Sequence, residues 1–131
     1  MRTTTSPLRM GLLMKRGEIY FANLSPTVGS AINKKRAVLI VSNDANNQAA
    51  STVTVLPITS NIANVYPFEI KLTRADSGLP MDSKAQAQQI RTLSKERLPD
   101  SVIGKLSSAK MRQVETAIRL HLGLNRSLKS Q

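Results

Sequence analysis

The chain lacks several of the residues on which common catalytic chemistries depend. It has no cysteine, no tryptophan and a single histidine, His121, among 131 residues. The absence of cysteine excludes disulfides and cysteine-ligated zinc, and one histidine excludes a ribonuclease site with two histidines in one chain. The eight Asp and Glu residues are scattered without the spacing of metal ligands, so we predict neither a metal nor a cofactor. Chemistry based on arginine and hydroxyl groups remains.

Long apolar runs and aromatic side chains are also scarce. No run approaches the ~20 apolar residues that span a bilayer, and the start of the chain lacks the apolar core of a secretory signal, so we expect a cytoplasmic protein without membrane contact. The aromatic residues Tyr20, Phe21, Tyr66 and Phe68 are too few for an open stacking surface, and we expect at least half of them in the core. Binding of nucleic acid would then depend on charge and hydrogen bonds.

Positive charge is present in excess. The chain has 19 Lys and Arg against 8 Asp and Glu, a formal net charge of +11. We expect residues 1–14 to be a disordered lead-in, residues 15–124 to form one domain, and residues 125–131 to be a polar tail. Residues 17–124 hold 13 basic and 8 acidic side chains, a net of +5. This charge favours a polyanionic or acidic partner, although a solubilising surface explains it equally well.

Apolar periodicity predicts several short strands and one helix. The strand patterns lie at 18–24, 37–42, 52–58, 67–72 and 102–106. Pro57 indicates an edge or a strand end, and the segment 84–93 fits either a helix or a strand. Residues 73–83, TRADSGLPMDS, are predicted to contain no regular element.

The last predicted element is an amphipathic helix over 108–122. Met111, Val114, Ile118 and Leu122 recur at helical spacing, and we expect His121 beside them to be partly buried. Together these patterns predict a mainly β fold, a small curved β-barrel with a C-terminal helix packed on it.

Cations and hydroxyl groups meet at the ends of two predicted strands. Lys34, Lys35 and Arg36 precede one strand, and Thr59 and Ser60 end the next. A guanidinium presents forked, permanently charged donors to a phosphate. RNA carries its own nucleophile, the 2′-hydroxyl, so a cleavage site needs donors to the charged phosphorane and groups that move protons. A solvated turn and a strand terminus also explain these residues.

Four segments resemble, in order, the landmarks of one family: RGEIYFANLSPTVGS, RAVLIVSND, LPITS and AQQIRTLSKERL. The chain resembles the MazF/PemK toxins of toxin–antitoxin systems from about residue 15 to residue 123. The resemblance implies an SH3-like β-barrel that forms a homodimer. It implies metal-independent cleavage of single-stranded RNA that leaves a 2′,3′-cyclic phosphate, and inhibition by an acidic antitoxin lying in the substrate groove.

The resemblance also implies roles for particular residues. It places the family's catalytic arginine at Arg36 and its phosphate-contacting threonine at Thr59, and it places Gln89 and Arg91 in a segment used around the substrate groove. Asn43 is a further candidate RNA contact, although an asparagine in such a loop is often only a turn former. With these, the candidate RNA contacts are Lys34, Lys35, Ser60, Gln89, Arg91 and Asn43.

Three positions depart from the family pattern. Ala31 stands where the family usually has a glutamate, Ala37 replaces a usual proline, and Gln88 stands where some members have an aspartate. Loss of a general base typically slows a reaction about 10²- to 10⁴-fold. Ala31 is therefore consistent with a naturally attenuated enzyme, a deliberately inactivated one, or a dispensable glutamate.

Two other functions fit the same sequence. A catalytically silent module could bind RNA or an antitoxin without cleavage, which Ala31 favours. A gyrase inhibitor like the CcdB toxins would share the barrel, but those proteins use their final helical residues on a protein target. Here the final stretch GLNRSLKSQ is polar and basic, which places this alternative last.

Overall fold

Seven antiparallel strands form one curled, half-barrel sheet in the computed structural model, which describes residues 14–24 and 35–124. Ala31 and Lys34 lie outside the described residues. The strands are β1 (Glu18–Asn23), β2 (Lys35–Ile40), β3 (Thr52–Thr59), β4 (Glu69–Leu72), β5 (Ser83–Gln86), β6 (Arg91–Ser94) and β7 (Gly104–Lys105). Their order is β4-β5-β3-β2-β1-β7, and β6 pairs with β3.

Three helices connect or cover these strands within the same ranges: α1 (Asp44–Ala49), α2 (Arg74–Ser77) and α3 (Ser108–Leu122). Two 3-10 turns, Ala87–Gln89 and Lys95–Arg97, flank β6. The predicted mainly β fold with a C-terminal helix is confirmed. Across the described residues, we find no helix with the length and apolar character to cross a bilayer.

The central strand of the sheet is β3. It pairs with β2 on one side, and on the other it pairs first with β6 and then with β5. The prediction that Pro57 marks an edge or a strand end is therefore wrong. Pro57 is tolerated because it lies between two ladders: pairing to β6 ends at Val55, and pairing to β5 begins at Ile58. A missing N–H costs no ladder hydrogen bond at that point.

Alternation along the strands gives the sheet two apolar faces. Helix α3 covers one face, where Met111, Val114 and Ala117 join a cluster with Leu56 and Ile58. The opposite face carries a second cluster made of Met14, Tyr20, Ala22, Val38, Ile40, Val53, Val55, Leu93 and Leu98. Successive residues of β3 thus enter different cores, which determines the face on which each neighbouring polar side chain lies.

The segment predicted to lack regular structure contains α2. Thr73 caps this helix, its hydroxyl accepting from the Asp76 N–H while the Asp76 carboxylate accepts from the Thr73 N–H. Gly78 ends it in the left-handed conformation, with φ at 79°. A reciprocal capping box followed by glycine therefore makes one short helix in a segment that otherwise resembles a loop.

Helix α3 has the predicted bounds, but its last turn is more exposed than expected. Leu122 is 49% exposed, and His121 is exposed with its ring 6.3 Å from the Phe68 ring. The expectation of a partly buried His121 is wrong. The buried positions of α3 end at Ala117, so helical spacing continues beyond the part of the helix that the core covers.

Candidate functional site

Strand alternation places Arg36 and Thr59 on the same face of the sheet. Arg36 is exposed on β2 and shares the alternation of Val38, which faces the second apolar cluster. Thr59 shares the alternation of Val55 on the same face. Val38 lies opposite Pro57, and the same register continued by two residues sets Arg36 opposite Thr59. A permanent cation and a hydroxyl therefore lie on adjacent strands at this end of the face.

A buried ion pair flanks Thr59 on its other side. Lys84 of β5 is the direct cross-strand partner of Thr59. Its Nζ lies 2.9 Å from Oε1 of Glu69, and the two side chains are only 8% and 1% exposed. The same ammonium donates to the main-chain carbonyl of Asn64, in the loop between β3 and β4. Lys84 thus ties that loop to the strand beside Thr59.

Glu69 accepts hydrogen bonds from several directions. Donors besides Lys84 are Nε2 of Gln88 at 2.6 Å, Nε2 of Gln86 at 3.3 Å and the N–H of Tyr66 at 3.1 Å. Burial raises the pKa of the Glu69 carboxyl, but these hydrogen bonds and the Lys84 ammonium outweigh burial and lower the pKa to about 2. Glu69 is therefore ionised at neutral pH and fully occupied. It is unsuited to replace the family's glutamate as a base.

Through Gln88, this network also holds the turn that precedes β6. Gln88 is the middle residue of the 3-10 turn, and its bond to Glu69 leaves Gln89 exposed at the end of the turn. Arg91 follows, exposed, opposite Val55 and thus on the same sheet face as Arg36. Gln89 and Arg91 therefore lie at one turn, level with Val55 and Ile40, at the other end of this face from Arg36.

Lys84 and Glu69 are not among the residues that the sequence indicates for this site. The only sequence signal for these residues is weak. Each charged residue lies in a segment with the alternating pattern of a strand, and this pattern is consistent with burial of the charge on one face. Their side-chain partners, and the Asn64 carbonyl, lie 15 to 20 residues away along the chain, and local patterns carry no information about such pairs.

Three of the remaining candidate residues have neighbours of their own. Lys35 forms an ion pair with Asp100, with Nζ 2.9 Å from Oδ2 and both side chains 47% exposed. Ser60 lines an apolar cleft on the opposite sheet face, with Phe21 and Ile58.

Asn43 caps α1, its side chain accepting from the N–H of Asn46 at 2.8 Å. Because Asn43 follows the end of β2 opposite to Arg36, one chain does not bring these two residues together. Within the described ranges, no group of three His, Asp or Glu side chains could hold a metal ion.

The fold defines the class: a small antiparallel β protein whose curled sheet is covered on one face by a C-terminal helix. The model of the PemK-like, MazF-like toxins of type II toxin–antitoxin systems matches residues 15–122. The chain is 45% identical over 117 residues to endoribonuclease MazF9 of Mycobacterium tuberculosis, covering 86% of this chain and 98% of that protein. This chain belongs to the PemK-like, MazF-like toxin family, as its sequence predicts.

Solved structures agree with this assignment. A mycobacterial endoribonuclease in complex with its cognate antitoxin superposes with a TM-score of 0.70 at 28% identity, covering 85% of this chain and 96% of that one. A MazE–MazF structure from Deinococcus radiodurans gives a TM-score of 0.71 at 22% identity, with the same coverage of 85% and 96%. That second likeness supports the fold alone.

Proposed function

We propose that this chain is the toxin of a type II toxin–antitoxin pair and cleaves single-stranded RNA as an endoribonuclease. The observation that supports the proposal is the register of β2 and β3, which pairs Val38 with Pro57 and, continued by two residues, pairs Arg36 with Thr59. The relative that is 45% identical to this chain is named an endoribonuclease. Exposed Lys71, the cross-strand partner of Lys84, and exposed Arg91, further along the same face, add positive charge to this face, which suits a polyanion.

The proposed reaction uses the nucleophile that RNA supplies. The 2′-oxygen gives its proton to water and attacks the adjacent phosphorus, the bond to the 5′-oxygen breaks, and the 5′-oxygen takes a proton from water. The products are a 2′,3′-cyclic phosphate and a 5′-hydroxyl. Arg36 and the Thr59 hydroxyl donate to the non-bridging oxygens, whose negative charge grows in the transition state. This route needs no metal.

Ala31 determines how fast we expect this chain to cleave RNA. It brings no carboxylate to the position of the family's glutamate, and Glu69 is held in its own network. We therefore propose slower turnover than in members with the glutamate, by about 10²- to 10⁴-fold. A silent binding module is the second candidate, and Ala31 is the observation that favours it.

Two partners complete the proposal. A relative was solved with its cognate antitoxin, and the basic residues 17–124 favour an acidic antitoxin for this chain as well. We further propose a homodimer, a folded unit over residues 15–124, and action in the cytoplasm, where the RNA substrate is.

Cleavage of a long single-stranded RNA in EDTA tests the proposal. We expect slow cleavage by the parent, at least about 100-fold less by Arg36→Ala because transition-state donors are lost, and faster cleavage by Ala31→Glu. Arg112→Ala, an exposed arginine of α3, is the matched control and should cleave like the parent. Undiminished cleavage by Arg36→Ala would overturn the site. If even Ala31→Glu fails to cleave while RNA still binds, the silent module replaces the enzyme.

A further inference from the structure

The loop between β3 and β4 presents an aromatic surface that the cleavage site does not use. The rings of Tyr66 and Phe68 stack with centroids 5.5 Å apart and planes 12° from parallel. The ammonium of Lys84 lies 5.7 Å from the centre of the Tyr66 ring. In spite of both contacts, Tyr66 remains 50% exposed. A large part of this ring therefore faces solvent.

The Tyr66 ring is fixed at both its main chain and its side chain. The Tyr66 N–H donates to the buried carboxylate of Glu69, and the Lys84 ammonium near the ring is itself bonded to Glu69 and to the carbonyl of Asn64. An aromatic side chain held in this way loses little conformational freedom when a ligand packs on it. The loop is thus preorganised for binding.

The same contacts connect the ring, through Lys84, to the strand that carries Thr59. Lys84 is the direct cross-strand partner of Thr59, so one residue connects the ring to the strand position that contacts phosphate. On the far side of Lys84, its partner Lys71 is exposed. A single RNA strand with a phosphate at Thr59 would find the half-exposed Tyr66 side chain near Lys84 and a further cation, Lys71, on the next strand.

We propose that Tyr66 is a stacking subsite for one base of the single-stranded RNA substrate, adjacent to the scissile phosphate. The inference rests on the proposed function and adds a binding residue to it. A flat ring beside cations matches the two features of a nucleotide, a planar base and a charged phosphate. Stacking accepts any base, so Tyr66 supplies affinity and register along the strand and does not select a sequence.

The test combines protein variants with abasic substrates. The RNA is a short oligonucleotide carrying the mapped cleavage site, made non-cleavable by a 2′-O-methyl group for binding and left unmodified for kinetics. Each nucleotide in turn is made abasic. For the parent, we expect one position at which base removal weakens binding by about 5- to 150-fold, the range of a single base–aromatic stack.

Tyr66→Ala should weaken binding of the intact RNA by the same factor and make that position insensitive to base removal. Tyr66→Phe, which keeps the ring, should bind like the parent. Val65→Ala removes a neighbouring side chain that is 45% exposed and should also bind like the parent. In cleavage, KM should rise for Tyr66→Ala while kcat changes little, a division that simple loss of folded protein does not produce.

Failure of the stacking proposal and failure of the proposed function give different results in these experiments. If the parent cleaves and Tyr66→Ala shows the same set of abasic penalties, the stacking proposal fails and the proposed function stands. If Tyr66→Ala loses affinity only for the acidic antitoxin, the surface belongs to that partner and the proposal is overturned. If neither the parent nor Ala31→Glu cleaves any RNA, the proposed function itself fails.

Discussion

Replacing Glu69 with glutamine would leave the Lys84 ammonium buried without its carboxylate. The side chains are 1% and 8% exposed and their charged atoms are 2.9 Å apart, so little water can replace the lost partner. Breaking one side of such a buried pair typically costs about 3–5 kcal/mol of folding free energy. We expect the free energy of unfolding of Glu69→Gln to fall by this amount at neutral pH.

The pKa of Glu69 gives an independent magnitude. Folding lowers the pKa of this carboxyl from 4.5 to about 2, which corresponds to roughly 3 kcal/mol in favour of the folded state. Because the folded pKa is the lower one, this stability is present above about pH 4.5 and is lost as the pH falls towards 2. Between pH 7 and pH 3 the loss should be about 2 kcal/mol.

Urea denaturation at pH 7 and pH 3 measures both effects. Glu69→Gln should be less stable at pH 7 and should lose about 2 kcal/mol less than the parent on acidification, because its titrating group is gone. Asp100→Asn is the matched control, since it removes a half-exposed carboxylate paired with Lys35 and should cost at most about 1 kcal/mol. Adding Lys84→Met to Glu69→Gln should recover much of the loss. Stability of Glu69→Gln within 1 kcal/mol of the parent, with an unchanged acid response, would refute the reasoning.

Two further changes test the packing around α2. Thr73→Ala removes the hydroxyl that accepts from the Asp76 N–H and should cost about 1 kcal/mol in thermal unfolding; Thr73→Ser, which keeps the hydroxyl, should cost less. Gly104→Ala would place a Cβ against the carbonyl oxygen of Ser77, a main-chain contact with no flexible atom to move, and should lower the melting temperature by several degrees. A melting temperature equal to the parent's would show that β7 can shift away from α2.

Periodicity along the chain was sufficient for the elements that bury a regular face. The alternation of 52–58 predicted β3, and the helical spacing of Met111 and Val114 predicted α3 with its observed bounds. Segment 84–93 stayed ambiguous because its Ala and Gln residues favour helix while tertiary pairing imposes β5, a turn and β6. Helix α2 is not predicted, because the residues of its capping box lie in a segment rich in residues that also form turns.

The candidate site also contains residues that the sequence indicates and residues that it does not. Arg36 and Thr59 could be proposed because each lies at a strand end, where local pattern and family likeness both apply. The face they share depends on the pairing of β2 with β3, which connects residues about 20 positions apart. Glu69 with Gln88 and Lys84 depends entirely on such long-range pairing, and neither composition nor spacing encodes it. The sequence therefore indicates candidate residues at strand ends but not the buried network that packs beside them.

The ion pair of Lys35 with Asp100 affects how the binding of an anion at Lys35 depends on salt concentration. A phosphate or an antitoxin carboxylate that reaches Lys35 must exchange with a carboxylate already 2.9 Å away, instead of releasing a small ion into solution. Released ions are what make RNA affinity fall with added salt, by about 0.7 in logarithmic slope for each single-strand phosphate contact. A contact at Lys35 would add less than this to the slope. Asp100 thus competes with any anionic ligand that contacts Lys35.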